Sequence, residues 1–162
     1  MTTLEERIQR LEDIEAIKQL KARYLHACDR KDIDGIRACF AEGPVMIDYG
    51  AVGKFEDREQ LIAVFQEMAA NTGVIDAHHG QNPQISISSS DMASGIWDLY
   101  FYQVNPDTQS VTQLAGFYRD KYSKVAGQWV IKETLFEVSS SFMANYEQQD
   151  LKVIFAGKAP GI

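Results

Sequence analysis

The stretch 93–138, ASGIWDLYFYQVNPDTQSVTQLAGFYRDKYSKVAGQWVIKETLFEV, decides the fold. Aromatic and β-branched residues alternate with polar ones at a period of two, the spacing of strands. Asn105-Pro106-Asp107 and Ala126-Gly127 are turn sequences, and they divide the stretch into strands over 93–103, 111–122 and 129–138. Two shorter strands precede them at 75–79 and 84–88. Strands joined by such short turns pair antiparallel.

Upstream the period changes. Leu4, Ile8, Leu11, Ile14, Ile17, Leu20, Tyr24 and Cys28 recur at gaps of three and four, the helical spacing, and Thr3 with Glu6 forms a capping box. The pattern predicts a helix over 3–28, roughly 38 Å long. That exceeds the width of a small domain, so its first turns are expected to overhang and meet a second copy of the chain. A short helix follows at 33–40, then a strand at 45–49. A third helix, capped by Asp57 with Gln60, carries Leu61, Ile62, Val64, Phe65 and Met68 inward. Helices first and a strand meander after is the α+β layout, with N-terminal helices packed on a curved, mostly antiparallel sheet. The 162 residues suit one domain over 1–162, with a core at 1–138 and an extension at 139–162. The extension is expected to act as a lid over a cavity or as a contact with a partner chain.

Composition narrows the function. A net charge of −7 repels phosphates, which argues against nucleic acid and anionic membrane as partners. No apolar run reaches the roughly 20 residues of a membrane span, and the charged N-terminus does not look like a signal peptide, so a cytoplasmic location is expected. Cys28 and Cys39 have neither metal nor redox spacing and read as reduced, partly buried thiols. His78 and His79 are adjacent on a strand and face opposite ways, so they do not share a metal ion. Metal, nucleotide and serine-hydrolase motifs are all missing, and neither a metal nor a cofactor is expected.

An aromatic pocket with a few polar groups remains, and its default chemistry is proton transfer by His, Asp and Tyr. Alternation puts Trp97, Leu99 and Phe101 on one sheet face and Ile96, Asp98, Tyr100 and Tyr102 on the other. Two apolar faces on a sheet covered by helices on one side predict a homodimer or a higher homo-oligomer such as a trimer. Tyr24 and Asp29 lie five apart, roughly 140° around an ideal helix, and share one cavity only if the helix ends or tightens near Cys28.

RLEDIEAIKQLKARYLHACD at 10–29 resembles the opening helix of SnoaL-like proteins, in the nuclear-transport-factor-2-like superfamily with scytalone dehydratase and ketosteroid isomerase. The strongest likeness is to bile-acid 7α-dehydratases. It rests on DIEAIKQLKA with a following tyrosine, an aspartate five residues later, a histidine before Gly80 and Pro83, Gly95 with Trp97, and FYRDKYSKVAGQWVIKET at 117–134. The resemblance implies a cone-shaped α+β barrel. It implies His78 as the base, Asp29 as its orienting carboxylate and Tyr24 as the donor to a substrate oxygen. Trp97, Leu99, Phe101, Phe117 and Val138 are expected to contact substrate.

Two positions depart from those dehydratases. Phe101 stands where they carry a second aspartate, and Val138 where they carry an arginine. Asp98 could replace the aspartate only through a bulge that shifts the register. Both departures favour a neutral, carbonyl-bearing substrate. The expected activity is a cofactor-independent lyase of the dehydratase type on a small hydrophobic polycyclic, steroid-like or aromatic compound. The alternatives are an isomerase or cyclase, which begins with the same deprotonation, and a non-catalytic dimeric ligand-binding or scaffold module.

Overall fold

The computed structural model describes residues 3–69 and 73–146. α1 (Leu4–Arg30) begins on the capping box read from the sequence: Glu6 N–H donates to the Thr3 hydroxyl at 3.1 Å and Thr3 N–H to the Glu6 carboxylate at 2.7 Å. Its burial starts only at Asp13, and Leu4 and Leu11 are 68% and 67% exposed, so the first three turns do overhang. α1 stops at Lys31, whose φ of 56° reverses the chain.

α2 (Ile33–Cys39) is capped by Asp32, which accepts from Gly35 N–H. β1 (Pro44–Asp48), a single 3₁₀ turn at Gly50–Val52 and β2 (Lys54–Asp57) lead into α3 (Arg58–Ala69). Asp57 caps α3 through Glu59 N–H at 2.6 Å, while the Gln60 side chain reaches back to Glu56 N–H rather than to Asp57. The cap is thus one residue looser than the sequence pattern suggests.

β3 (Ile75–Ile87), β4 (Met92–Asn105), β5 (Ser110–Val125) and β6 (Gln128–Asn145) form the antiparallel meander. β1 runs parallel to β6 and antiparallel to β2, which gives the order β2-β1-β6-β5-β4-β3. The architecture is α+β, three helices on a curled six-stranded mixed sheet. Among the described residues the sheet is not closed, since β2 and β3 remain edges; "barrel" overstates it.

Three boundaries differ from the sequence reading. The strands expected at 75–79 and 84–88 are one strand, because the register slips between Gln81 and Gln84 and Asn82, at φ 49°, absorbs the extra length before Pro83. β2 was not anticipated. β6 continues past Val138, pairing Ser140–Asn145 with residues of β5, so the core does not stop at 138 and residues 139–145 are strand rather than lid. The remainder of the proposed lid, with Val153-Ile154-Phe155, lies outside the described residues.

The core sits between α1 and the concave sheet face, built on Ile17, Leu20, Tyr24, Ile36, Phe40, Ile47, Leu61, Ile62 and Ile131. Beneath it lies a buried polar network. Lys21, with no exposed side-chain surface, donates to Asp120 at 2.8 Å. Tyr122 and Thr134 also donate to Asp120, each at 2.7 Å, and Trp97 Nε1–H donates to the Tyr122 oxygen at 2.9 Å. Both Asp120 oxygens accept, from three donors in all and one of them a cation, which is what makes a charge tolerable in the interior.

Candidate active site

Inward positions of the curled sheet and one face of α1 enclose a cavity of about 290 Å³. Its walls include Tyr24, Tyr49, His78, Leu99, Phe101 and Tyr118. Strand alternation explains the set: Asp76 and His78 share a face of β3, Leu99, Phe101 and Gln103 share a face of β4, and all point into the cone.

His78 is held by Asp29 at two points. Its backbone N–H donates to both carboxylate oxygens, at 3.0 and 3.2 Å, and its Nδ1 lies 2.6 Å from Asp29 Oδ1. A carboxylate can only accept, so Nδ1 carries a proton, and in the neutral ring Nε2 then keeps a lone pair. Nε2 makes no hydrogen bond among the described residues. The ring also packs against Phe101, with centroids 4.6 Å apart.

Tyr24 and Asp29 do not meet directly. α1 continues through Cys28 to Arg30, so the 140° separation persists. Tyr24 points into the cavity, whereas Asp29 lines a shallow cleft behind it with Lys21, Leu25 and Gly80. His78 lines both spaces: it bonds Asp29 and shares the cavity wall with Tyr24. Leu25 of α1 packs directly on Gly80 of β3: a Cβ there would lie 2.6 Å from Leu25 Cδ1, so any larger residue would have to turn the leucine tip aside.

The Tyr24 hydroxyl pairs with that of Tyr49 at 2.7 Å, deep in the wall. Burial pushes the Tyr24 and Tyr49 phenols well above the ordinary tyrosine range, so both remain neutral donors at physiological pH. Tyr49 was not singled out from sequence, because as the last residue of the strand read at 45–49 it carries no signal that separates it from a core aromatic. Asp76 was missed too. The signal was its spacing of two from His78, which on a strand guarantees a shared face.

Leu99 and Phe101 stand in the cavity wall, but three expected contacts do not. Trp97 points inward at the narrow end, where it is tied to Tyr122 and borders the cleft beside Asp29. Phe117 lies on the convex face, its ring 5.0 Å from the Arg119 guanidinium, and Tyr118 takes the inward position. Val138 is 55% exposed, beyond the cavity and beside the bulge opposite Gly116. Asp98 makes no entry either: β4 carries no bulge against β5, and Asp98 accepts from Asn82 on the outside at 2.7 Å. Among the described residues no group of three or more His, Cys, Asp or Glu side chains is arranged to hold a metal ion.

Residues 9–134 match the SnoaL-like domain. The chain belongs to the SnoaL-like family. The SnoaL-like fold is shared with a scytalone dehydratase-like protein of Novosphingobium aromaticivorans, at TM-score 0.77 and 19% identity over 88% of this chain and 93% of that one. A hexachlorocyclohexane dehydrochlorinase, LinA type 2, matches at TM-score 0.79 and 17% identity, covering 96% and 99%. An aromatic ring hydroxylase-like protein of N. aromaticivorans matches at TM-score 0.73 and 22% identity, covering 83% and 93%. These likenesses establish the fold, which carries several chemistries. No helix among the described residues is long and apolar enough to cross a membrane.

Proposed function

We propose that this SnoaL-like chain is a cofactor-independent lyase of the dehydratase type, eliminating water β to a carbonyl in a small hydrophobic substrate. The observation that carries this reading is the 2.6 Å His78–Asp29 pair at the wall of an aromatic cavity, with Nε2 unbonded among the described residues. His78 Nε2 takes the acidic α-proton, and Asp29 keeps Nδ1–H in the productive tautomer and balances the imidazolium that forms. When the hydroxyl pair is oriented with Tyr49 as donor to the Tyr24 oxygen, the Tyr24 proton is free for the carbonyl as enolate charge develops. The enolate then expels the β-hydroxyl. The imidazolium gives its proton to that leaving oxygen, so water departs and His78 returns to its starting form.

General acid–base catalysis of this kind contributes about 10²–10⁴-fold. A cavity of about 290 Å³ is at the small end of ligand pockets and favours one- or two-ring substrates. The names of the two lyase-like structural relatives, a dehydratase and a dehydrochlorinase, both describe eliminations and support the reaction class. The convex sheet face, with Ile96, Tyr100, Tyr102 and Phe117, supports self-association through that face.

The test is exchange of the α-protons of 1-tetralone in D₂O, followed by proton NMR, beside water loss from 3-hydroxy-1-tetralone. The parent protein is expected to accelerate both, and His78→Gln to lose at least about 10²-fold in each. Exchange by a folded His78→Gln protein at the parent rate would eliminate the reading. An isomerase or cyclase would show the exchange without the water loss. Phe101 in place of a carboxylate is the feature that favours a binding module, which would bind the ketone and leave its exchange at the buffer rate.

A further inference from the structure

A second polar constellation lines the same cavity and has no part in the proton transfer described above. Lys31 Nζ donates to Asp76 Oδ2 at 3.0 Å, and Gln103 Nε2 donates to Asp76 Oδ1 at 2.8 Å. The three residues all face the cavity, with the Lys31 side chain 8% and the Asp76 side chain 17% exposed. Their placement follows from the end of α1. Asp29 reaches His78, and two residues later, past the left-handed turn, Lys31 reaches Asp76, two residues back along β3.

A salt bridge that only docked a helix end would not need to open onto a cavity, and Asp29 already performs that docking. Hydrogen-bonding capacity is also left over. Among the described residues the ammonium uses one of its three N–H groups and Gln103 Oε1 accepts nothing. Each Asp76 oxygen, with one donor apiece among the described residues, retains a lone pair. Donors and acceptors therefore both face the substrate space, while Lys31 and Asp76 cancel in charge. An anionic end group would meet the Asp76 carboxylate and lose, by repulsion, what it gained from Lys31. A hydroxyl can donate to Asp76 and accept from Lys31 at once.

We infer that Lys31, Asp76 and Gln103 form a specificity site that selects substrates bearing a neutral hydroxyl group distant from the reacting carbonyl. This deepens the proposed function and rests on it for the identity of the ligand as a ketone.

Calorimetric titration of the whole chain with 1-tetralone, 6-hydroxy-1-tetralone and the matching 6-carboxylate tests it. The parent is expected to bind the hydroxylated ketone about tenfold more tightly than the unsubstituted one, the yield of one charge-assisted hydrogen bond, and to bind the carboxylate least well. Asp76→Asn should shrink the hydroxyl advantage to within about twofold and, with Lys31 unpaired, improve binding of the carboxylate. Should Asp76→Asn prove unfolded by circular dichroism, the charge-free Lys31→Met/Asp76→Met protein gives the same readout through loss of the hydroxyl preference. His78→Gln should keep the parent's order of affinities whether or not it abolishes exchange, which separates failure of the catalytic reading from failure of this one. The inference is overturned if the parent prefers the carboxylate, if it does not bind the hydroxylated ketone, or if removing Asp76 leaves the hydroxyl advantage intact.

Discussion

At Tyr24 a single hydroxyl links packing to chemistry. Its partner Tyr49 stays neutral for the same reason it does: burial disfavours the phenolate. Tyr24→Phe is therefore expected to lower kcat by about 10²-fold with little change in KM, the mark of a bond made mainly in the transition state. Tyr49→Phe should cost less, since it removes only the second donor in the chain. The same burial fixes how stability responds to alkali. Folded-state values of Tyr24, Tyr49, Tyr118 and Tyr122 lie above the usual 10.0, and those of Cys28 and Cys39 above 9.0, with burial raising the Cys39 thiol to about 11. Above about pH 9 the unfolded chain gives up protons that the folded chain retains, so stability falls as pH rises. Lys21, lowered by burial against the pull of Asp120, works in the opposite sense but is one group against six. The urea midpoint should be lower at about pH 10.5 than at about pH 8, and the buried phenols should not titrate in the 295 nm absorbance of the native protein.

Among the elements, α1 is the one on which the others depend. Lys21 pins its middle to Asp120 on β5, and its Nζ lies 3.4 Å from the centroid of the Tyr118 ring that lines the cavity. Lys21→Met leaves a buried carboxylate without its cation and is expected to cost about 3–5 kcal/mol in chemical denaturation. Lys21→Met/Asp120→Leu should recover part of that loss by removing the orphaned charge. Most of this element was legible in the sequence, since Thr3, Glu6 and the apolar spacing give its start and its buried face. The single strand β3 was not, because Asn82-Pro83 has the composition of a break, yet the pairing with β4 resumes across it. The end of β6 was hidden for a different reason. Ser139-Ser140-Ser141 carries no apolar alternation, and its strand conformation comes from pairing with β5. In the site, the resemblance pointed to His78 and Asp29, which pair at 2.6 Å, and to Tyr24, which lines the same cavity as His78 but bonds Tyr49, whereas Asp76 reads as a solvated strand carboxylate and is instead paired with Lys31 and Gln103. Phe117 was assigned to the wrong face because the parity of β5 was not followed through to Tyr118.

The whole molecule presents more apolar surface than a lone protomer keeps comfortably. Leu4 and Leu11 project from the overhanging helix, Tyr100 is 41% exposed on the convex face, and Phe142 and Met143 are 59% and 69% exposed on the far end of β6. Light scattering coupled to size exclusion is expected to report a mass at least twice that of the 18.3 kDa chain. Charged replacements at Tyr100 and Tyr102 should shift the protein toward monomer, and unchanged mass would exclude the convex face as the contact. The double exposure of His78, to the cavity in front and to the cleft of Asp29 behind, has its own bearing on turnover. The dyad borders bulk water at its rear. The Asp29 carboxylate, 27% exposed, can stay hydrated while the cavity in front is filled, so the charge that steadies the imidazole does not depend on what the chamber holds.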